Sequence, residues 1–520
     1  MNRGISVIAL ATALGLSACS PDVVGPLKAP MKASLSLATG SAPGRYIVVL
    51  NGKGSETDFT AKVVGLGGSV ASYHAGAGIA VVSGLSSESA AQLGANGSGD
   101  VQADFSFRPD DPSGTAQADA SDIGGTIESQ ANPAGAGRFP FQWNMRLIGA
   151  PAAWAAGHLG DAGVTVAIID TGLDYDAPDL NGLVDLSRSH SFMNHFVGRL
   201  DDPTTPQDEY DPIVPPDDQI VGFFPGRNLI TDLNGHGTNV ATQVSSKAAA
   251  LAGVTSKTTL IGVKVLGANG VGTFSDILNG VLWAADHGAD VANMSLGGGF
   301  SKAGNGRAVS TINRVFNYAK QKGMLIVVAA GNSGADLQHN GNAYASYCDA
   351  PHVICVSSVG PALATDIGTP AETQGAFYTN FGAGSVDVAA PGGNAKLTAT
   401  GAFTPSRWPW TPAAPAPFTG NDIASWVWSF CAKQTLVIVK NADGVHGDLF
   451  LTSCIAGNRL TGFIGTSQAS PHVAGLAALL VAERGHGRPQ NIKQIIEQSA
   501  VPIDPALGRG RISVAAAVGL

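Results

Sequence analysis

The sequence predicts an α/β protein whose main domain is built on a parallel sheet. Short β-branched segments alternate with segments of helical periodicity, and 44% of the residues are apolar against 13% charged. The predicted strands are Val164–Ile169, Leu260–Val265, Val291–Met294, Leu325–Ala329 and Val353–Val356. The predicted helices are His236–Lys247, Ser275–His287, Val309–Lys322, Thr466–Glu483 and Gln490–Ser499. This alternation favours parallel strands joined by right-handed crossovers.

A smaller unit precedes this domain, over residues 44–106. Its pattern predicts the order β-α-β-β-α-β, which is typical of a ferredoxin-like fold. The elements are Arg45–Leu50, Glu56–Leu66, Ser69–Tyr73, Ile79–Ser83, Ser86–Leu93 and Val101–Phe105. Residues 107–138 are poor in hydrophobic side chains, so we expect an exposed linker with a proteolytic processing site. The main domain then occupies residues 139–520.

Composition excludes two classes of function. The net charge of −9 leaves no basic surface, so we expect no nucleic-acid partner. Beyond the N-terminus no apolar run reaches 18 residues, so we expect no membrane span in the body of the chain. The 520 residues suffice for two or more domains with a large core, and we expect a monomer.

The N-terminus indicates export. Arg3 precedes the apolar run Ile5–Leu16, which has signal-peptide length and is too short to span a membrane. The run ends in Leu16-Ser17-Ala18-Cys19, which resembles the lipobox of bacterial lipoproteins. That resemblance implies a signal peptide over residues 1–18, a lipid on Cys19 and a membrane tether over residues 19–43. An ordinary signal peptide cut near Ala18 is the alternative. The product is then lipid-anchored in the bacterial cell envelope or secreted.

The cysteines fit an oxidising compartment. If Cys19 carries lipid, four cysteines remain, and an even number suggests two disulfides. Three connectivities are possible, and the local pairs are Cys348 with Cys355 and Cys431 with Cys454. The second pair brackets two strand-like runs, Thr435–Lys440 and Asp448–Thr452, which predict a hairpin clamped at its base.

Three insertions interrupt the α/β rhythm. Residues 183–219 include an acidic run from Asp201 to Asp218, which could bind a cation through oxygen ligands or form a solvated loop. Residues 298–308 are a short Gly/Ser/Asn loop. Residues 393–462 form the longest insertion, and its Trp/Pro segment could be a peptide-docking surface or the edge of a rigid lid.

Four polar residues stand at the ends of predicted strands or at helix starts. They are Asp170, His236, Asn332 and Ser467. Each has an ordinary explanation alone, and Ser467 could be only a helix N-cap. Together they supply a nucleophile, a base, an orienting carboxylate and an amide donor at the carboxyl edge of one sheet.

Two other enzyme classes share fragments of this pattern. Asp170-Thr171-Gly172 also occurs in aspartic proteases, but those need a second such carboxylate, and the sequence has no other Asp-Thr-Gly or Asp-Ser-Gly. An α/β-hydrolase needs the order Ser, Asp, His, and no Asp lies between Ser467 and either downstream histidine. Neither class fits the sequence.

The order Asp170, His236, Ser467 and the sequence around each residue resemble the subtilisin-like serine proteases. Four blocks carry the resemblance, which covers roughly Gln142 to the C-terminus: Ile169-Asp170-Thr171-Gly172, Gly235-His236-Gly237-Thr238, Ala330-Gly331-Asn332 and Gly465-Thr466-Ser467 followed by Ser470-Pro471-His472-Val473-Ala474-Gly475. It implies a three-layer α/β domain with a mainly parallel sheet. Residues 44–105 resemble the family's inhibitory propeptide, which assists folding and is then cut off.

The resemblance also implies roles. Ser467 would be the nucleophile, His236 the general base and then acid, and Asp170 its orienter. The Asn332 side chain would donate to the oxyanion together with the Ser467 backbone N–H. Two segments resemble the edge strands that hold an extended peptide substrate: Gly270-Val271-Gly272 and Ser295-Leu296-Gly297-Gly298. The partners expected are protein or peptide substrates and the chain's own propeptide.

The sequence departs from the family pattern at several positions. Asn239 stands where a second histidine is usual, Thr242 where glycine is usual and Gln468 where methionine is common. Asp179 matches a calcium-ligating position, but the loop that completes that site is shortened to Ser245–Leu251, without Asn or Asp. Structural calcium therefore stays open, and the chemistry needs no cofactor and no metal.

These observations predict a serine endopeptidase made as a self-processed zymogen. The Gly- and Ala-rich walls favour a large apolar side chain before the cleaved bond. The alternative is a catalytically silent envelope binding protein that keeps the scaffold and uses residues 393–462 to hold a partner.

Overall fold

The computed structural model describes residues 40–52, 54–107, 115–119, 129–195, 216–222, 224–394, 426–430, 432, 435–440, 447–452 and 459–520. The first unit has the predicted element order: β1 (Gly40–Leu50), α1 (Glu56–Gly65), β2 (Ser69–His74), β3 (Ile79–Ser83), α2 (Ser87–Ala95) and β4 (Gly99–Phe107). Its strands form an antiparallel sheet in the order β2-β3-β1-β4. Both helices pack apolar side chains on this sheet, among them Phe59, Val63 and Leu93.

The stretch predicted as an exposed linker is partly built into the fold. Residues Thr115–Asp119 form strand β5, which pairs with a strand near the C-terminus. Ala136 is buried in the main core, and Gln130 Nε2 donates to the Ser256 carbonyl over 2.8 Å. The prediction missed this because strand pairing uses backbone groups, which a polar side-chain composition does not report. Residues before 139 therefore contact the main domain.

The elements of the main domain follow in chain order. Its helices are α3 (Trp143–Leu147), α4 (Ala150–Ala155), α5 (Asp217–Gly222), α6 (His236–Val244), α7 (Phe274–Asp286), α8 (Gly306–Gln321), α9 (Thr466–Arg484), α10 (Pro489–Gln498) and α11 (Val514–Ala517). Its strands are β6 (Thr165–Asp170), β7 (His190–Ser191), β8 (Thr259–Lys264), β9 (Gly272–Thr273), β10 (Val291–Met294), β11 (Phe300–Ser301), β12 (Leu325–Ala329), β13 (Ala343–Tyr344), β14 (Val353–Val359), β15 (Val388–Pro391), β16 (Val427–Phe430), β17 (Thr435–Lys440), β18 (Gly447–Thr452) and β19 (Arg459–Phe463).

Seven strands form the central sheet in the order β15-β14-β12-β10-β6-β8-β7, and every neighbouring pair is parallel. All five predicted strands lie in it, and β7 and β15 extend it at its two edges. The predicted helices are present with ends that differ by up to three residues, as at α6, which stops at Val244 rather than Lys247. The α/β prediction is confirmed.

Alternation along β6 shows why the domain has three layers. Val166 and Ile168 point into the core shared with α6, α9 and α10, while Ala167 and Ile169 point into the core shared with α7 and α8. A strand buried on both faces must be apolar throughout, which explains its continuous hydrophobic run.

Helix α9 is the central helix of the first layer, and its residues from Thr466 to Val481 are all buried. Gly475 allows α6 and the following segment to approach closely. A Cβ at Gly475 would lie 2.7 Å from the Val254 Cβ and 3.0 Å from the Val244 carbonyl oxygen. Helix α6, which begins with His236, and helix α9, whose second residue is Ser467, are thereby packed together.

The described part of the long insertion forms two small sheets. Strands β17 and β18 form the predicted hairpin, with Thr435 opposite Thr452. Strand β19 pairs with β16 on one side and with β5 on the other. The Trp/Pro segment and the acidic residues 201–215 lie outside the described residues.

Candidate active site

The carboxyl ends of three neighbouring parallel strands carry the candidate residues. Asp170 is the last residue of β6, Ser295 follows β10, and Asn332 lies three residues beyond β12. The strand order places β10 between β6 and β12, so these residues lie at one edge of the sheet. This is where open α/β sheets build their sites.

Asp170 holds His236 in a defined orientation. Asp170 Oδ1 lies 2.8 Å from His236 Nδ1, and the carboxylate is fully buried. The same oxygen accepts the Thr171 backbone N–H over 2.7 Å. A carboxylate acceptor at Nδ1 places the proton of the neutral imidazole on Nδ1, so Nε2 is left as the basic nitrogen. The imidazole keeps 19% of its surface exposed, which leaves it accessible to a substrate.

A second buried carboxylate, Asp232, shapes the turn before His236. It accepts hydrogen bonds from the backbone N–H groups of Asn234, Gly235 and Thr238 and from the hydroxyls of Thr171 and Thr238. Burial raises the pKa of Asp232. Asp232 is not among the site residues predicted from the sequence, although an acidic residue shortly before a predicted helix often accepts backbone N–H groups of its first turn.

Gly237 is required beside this pair by close packing. A Cβ at that position would lie 2.1 Å from the Gly172 carbonyl oxygen. Its N–H also donates to the Thr171 hydroxyl over 2.9 Å. The glycine after His236 therefore lets α6 begin directly against the end of β6.

Ser467 is the second residue of α9 and is hydrogen-bonded to Ser295, which directly follows β10. Pro471 lacks an N–H, so the Ser467 carbonyl cannot receive the usual helix bond from four residues on. The Ser295 hydroxyl donates to that carbonyl instead, over 2.6 Å. The Ser467 hydroxyl in turn donates to the Ser295 carbonyl over 3.2 Å.

Asn332 is oriented by the residue before Ser467. Its Oδ1 accepts from the Thr466 backbone N–H over 2.8 Å and from the Thr466 hydroxyl over 2.9 Å. Both bonds use the oxygen, so they fix the orientation of the amide and with it the position of the donor atom Nδ2. Asn332 and Ser467 line one small pocket. The other lining residues are Gly297, Gly298, Ala329, Gly331, Ala345 and Thr466.

The two predicted substrate strands differ in the structure. Of the segment Gly270–Gly272, only Gly272 is in a strand, β9, which pairs with Ser106 and Phe107 of β4. The segment Ser295–Gly298 forms no strand. Ser295 and Leu296 are buried, and the Ser295 hydroxyl bonds to α9. Of this segment, Gly297 and Gly298 line the pocket.

Strand β19 and strand β16 add residues that sequence reasoning did not assign to the site. The Phe463 ring meets the His236 ring edge to face, with centroids 6.0 Å apart. Asn239, where the family usually has a histidine, donates from Nδ2 to the Val427 carbonyl and to the Ser429 hydroxyl of β16. This departure therefore joins the insertion to helix α6.

The calcium-type position does not fit a cation. Asp179 Oδ1 accepts the Ala250 N–H over 2.9 Å, and Oδ2 accepts the Leu251 N–H over 3.1 Å. Burial raises the pKa of Asp179 to about 7. The shortened loop thus satisfies the carboxylate with backbone N–H groups, where calcium would need oxygen ligands.

The acidic residues at the described end of this loop contact other residues of the same chain. Asp217 pairs with the buried Lys264 over 2.7 Å, and Asp218 accepts the Ser191 hydroxyl over 2.6 Å. Across the described ranges no cluster of His, Cys, Asp and Glu has the arrangement of a metal site.

The cysteines are partly described. Cys348 and Cys355 form a disulfide, which is the first of the two local pairs expected from the sequence. Cys19, Cys431 and Cys454 lie outside the described residues. Among the residues with described positions, no helix is long and apolar enough to cross a bilayer.

The parallel sheet agrees with the family to which the chain belongs. So do the contact between the buried Asp170 and His236 and the serine in the first turn of α9. The chain is a member of the subtilase family of S8 peptidases, whose model matches residues 161–516.

Individual relatives support the same assignment. A thermophilic serine proteinase from Bacillus sp. (strain AK1) is 30% identical over 344 residues, which are 66% of this chain and 57% of that protein. Thermitase from Thermoactinomyces vulgaris is 28% identical over 387 residues, 72% of this chain and 95% of that protein. The chain thus spans less than two thirds of the length of the Bacillus proteinase.

A solved structure shares the fold. The epidermin leader peptide processing serine protease from Staphylococcus aureus superposes with a TM-score of 0.57 at 19% identity, covering 91% of this chain and 97% of that one.

Proposed function

We propose that the chain is a serine endopeptidase with Ser467 as nucleophile, His236 as general base and Asp170 as orienting carboxylate. The observation that carries the proposal is the 2.8 Å contact between the buried Asp170 and His236 Nδ1. It gives the imidazole a basic Nε2 at the same sheet edge as Ser467. A nucleophile, a base and an orienting carboxylate are the groups that this chemistry requires, which supports the proposal.

The reaction follows from these groups. Nε2 of His236 accepts the Ser467 hydroxyl proton as the oxygen attacks the substrate carbonyl, and Asp170 stabilises the imidazolium that forms. His236 then protonates the leaving amine, and an acyl-enzyme remains on Ser467. Water, deprotonated by the same imidazole, hydrolyses this ester and restores the serine.

The oxyanion of each tetrahedral intermediate needs preset donors. We assign these to Asn332 Nδ2 and to the Ser467 backbone N–H at the start of α9. Thr466 fixes the Asn332 amide through its oxygen, so the donor needs no reorganisation during the reaction. The N-terminal end of α9 adds a favourable dipole for negative charge.

The pocket beside Ser467 supports a preference for an apolar side chain before the cleaved bond. Its walls come from glycine and alanine backbone, including Gly297, Gly298 and Ala345, and carry no charged side chain. A peptide library should therefore favour large apolar residues at that position. A preference for acidic or basic residues would contradict this assignment.

We also propose that residues 44–106 are a propeptide and that the chain is an exported zymogen. The end of this unit lies on the expected substrate strand, because Ser106 and Phe107 pair with Thr273 and Gly272. A substrate cannot pair with β9 while β4 occupies it. Export, with a lipid on Cys19 or after signal-peptide cleavage, stays a prediction of the N-terminal sequence.

Replacing Ser467 by alanine tests the whole proposal. Peptide hydrolysis should fall by about 10⁴-fold or more, and the precursor should remain uncut. Ser499→Ala, a serine at the end of α10, is the matched control and should mature normally. Normal maturation of Ser467→Ala would contradict the proposal.

A fluorophosphonate distinguishes the enzyme from a silent binding protein on the same scaffold. The reagent should label the mature protein at Ser467 and should not label the alanine variant. An unlabelled mature protein would favour the binding-protein alternative. N-terminal sequencing and mass measurement of the same product locate the processing site and test for the lipid.

A further inference from the structure

A buried asparagine, Asn380, lies against the Asn332 loop, which is the segment 330–335 that follows β12. Asn380 belongs to the segment between β14 and β15 and is fully buried. Its carbonyl accepts the hydroxyl of Ser357 in β14 over 2.6 Å. The backbone of Asn380 is therefore held to the central sheet.

Both ends of the Asn380 amide bind backbone groups of the Asn332 loop. Oδ1 accepts the Ser333 N–H over 3.1 Å, the Ala335 N–H over 2.8 Å and the Ser333 hydroxyl over 3.1 Å. Nδ2 donates to the Ala330 carbonyl over 2.8 Å. A single side chain thus binds residues that precede Asn332 and residues that follow it.

Gly331 brings the loop still closer to Asn380. The Asn380 backbone N–H donates to the Gly331 carbonyl over 2.9 Å. Gly331 has a φ of +100°, and a Cβ there would lie 2.5 Å from Asn380 Nδ2. Glycine adopts this left-handed conformation readily and leaves room for the amide. The path of the loop and the position of Asn380 therefore depend on each other.

The first residue of α9 binds the same loop. The Thr466 hydroxyl accepts the Gly331 N–H over 3.0 Å and donates to Asn332 Oδ1 over 2.9 Å. Two fixed elements thus set the position of Asn332. Helix α9, which carries Ser467, orients its amide, whereas Asn380 holds the backbone from which that amide extends.

We propose that Asn380 is a positioning residue for the oxyanion donor. It acts through Asn332 and not on the substrate, by holding the backbone on both sides of Asn332 so that Nδ2 keeps its place relative to Ser467. A preset donor stabilises the oxyanion only while it stays in place, and a displacement of about 1 Å can cost about 100-fold in rate. The inference rests on the serine endopeptidase function proposed above.

Asn380→Ala should lower kcat by about 10–100-fold and change KM by less than about threefold. The loop loses the bonds to the amide, so the donor moves away from the oxyanion. Because negative charge on that oxygen develops only after the substrate is bound, the loss should appear in kcat. Steady-state kinetics of the processed enzyme with one peptide substrate measure it. An unchanged kcat would overturn the proposal.

A double-mutant cycle separates positioning from a merely structural role. In the Asn332→Ala background there is no side-chain amide to position, so Asn380→Ala should lower kcat by less than about threefold. Thermal unfolding should show a similar loss of Tm in both backgrounds, because the backbone groups that lose their partner are the same. Equal factors in kcat with and without Asn332 would overturn the proposal.

Asn144→Ala is the matched control. Asn144, in α3, is also a buried asparagine, and its Nδ2 lies 3.1 Å from Gln243 Oε1 and 2.9 Å from His472 Nε2. Any change that this variant causes in kcat should be the same factor with and without Asn332. Coupling to Asn332 as strong as that of Asn380 would mean that loss of any buried amide has this effect, and would overturn the proposal.

Ser333→Ala is a milder test, which serves if Asn380→Ala does not fold. It keeps Asn380 and removes only the hydroxyl bond to its Oδ1. We expect kcat to fall by about two- to fivefold, and this effect should disappear in the Asn332→Ala background. A loss that persists without Asn332, or no loss at all, would contradict the positioning role. Failure of the wild-type enzyme to hydrolyse any peptide would instead contradict the endopeptidase function.

Discussion

The Asp170–His236 pair and the group formed by Arg45, Asp104 and Asp276 both contain buried carboxylates, but only the second joins two folded units. Arg45 Nε lies 3.1 Å from Asp104, and its Nη2 lies 2.8 Å from Asp276 of α7. Asp104 also accepts the Ser275 N–H at the start of that helix. Burial and the nearby Asp276 raise the pKa of Asp104.

The difference lies in whether the basic partner of the carboxylate can exchange a proton. In the first pair the partner is an imidazole, which can accept and return a proton during a reaction. In the second it is a guanidinium, which stays charged. A partner that exchanges a proton can take part in each catalytic cycle. A permanent charge can instead hold the N-terminal unit against the main domain until the backbone between them is cut. Substitutions in the Asp170–His236 pair should therefore alter the catalytic rate. Substitutions in the group around Arg45 should alter binding of the N-terminal unit.

Asp170→Asn should have the largest effect of these substitutions, and the effect should be on kcat. An amide cannot fix the Nδ1 proton of His236 as a carboxylate does, so kcat should fall by about 10⁴-fold. The folded structure should persist, as monitored by thermal unfolding of the full chain. A fall of less than tenfold would mean that Asp170 is a structural carboxylate like Asp232.

Asn332→Ala should cost less, about 10²–10³-fold in kcat, because one of two oxyanion donors is lost. Steady-state kinetics of the processed enzyme measure it. KM should change little, since the donor acts on charge that develops in the transition state. An effect confined to KM would instead indicate a substrate-binding role.

Asp104→Asn should weaken the contact between the N-terminal unit and the main domain and leave the catalytic rate unchanged. It leaves Arg45 with a weaker partner at a buried site, and we expect the cut N-terminal fragment to bind about 100-fold more weakly. Co-elution of fragment and enzyme after processing measures this. Asp100→Asn, exposed on the same strand, is the control. If Asp104→Asn reduced kcat and left binding of the N-terminal fragment unchanged, the two charge groups would not differ in the way proposed.

His472 offers the smallest test, on stability. Its Nε2 lies 2.9 Å from Asn144 Nδ2, and its Nδ1 lies 2.8 Å from the Gln468 carbonyl, so only the neutral ring fits. Burial lowers its pKa from 6.5 to about 4. The stabilisation is therefore complete above pH 6.5 and is lost as the pH falls towards 4, by about 2 kcal/mol at pH 5.

His472→Gln should remove this pH dependence. The Tm of wild type should fall relative to the variant between pH 7 and pH 5, as followed by thermal unfolding at each pH. The comparison must be made between the two proteins, because Asp179 acts in the opposite direction. Its raised pKa of about 7 means that its contribution is lost as the pH rises from 3.8 through 7. Parallel curves for both proteins would contradict a buried neutral His472.

Sequence alone predicted those parts of the molecule that depend on local pattern. The five core strands could be found because β-branched runs buried on both faces differ from their surroundings. The placement of Asp170 and Asn332 followed from the strand ends beside them. These features need no knowledge of which segments meet.

The rest depends on contacts between distant segments. Strand β5 pairs with β19 through backbone atoms, and the polar side chains of residues 107–138 carry no sign of it. Asn239 shows the same limit, since its departure from the family pattern has meaning only once β16 lies against α6. The inward turn of Ser295 likewise required the position of Pro471 in space.

Pro471 has a consequence for motion. It interrupts the hydrogen-bond ladder of α9 at the Ser467 carbonyl, and Ser295 replaces the missing bond with one from the end of β10. At this carbonyl the first turn of the helix is thus bonded to the sheet edge in addition to its other helical bonds. Fraying at a helix start would normally be its fastest opening motion. Here the serine can be displaced only if the sheet edge moves with it.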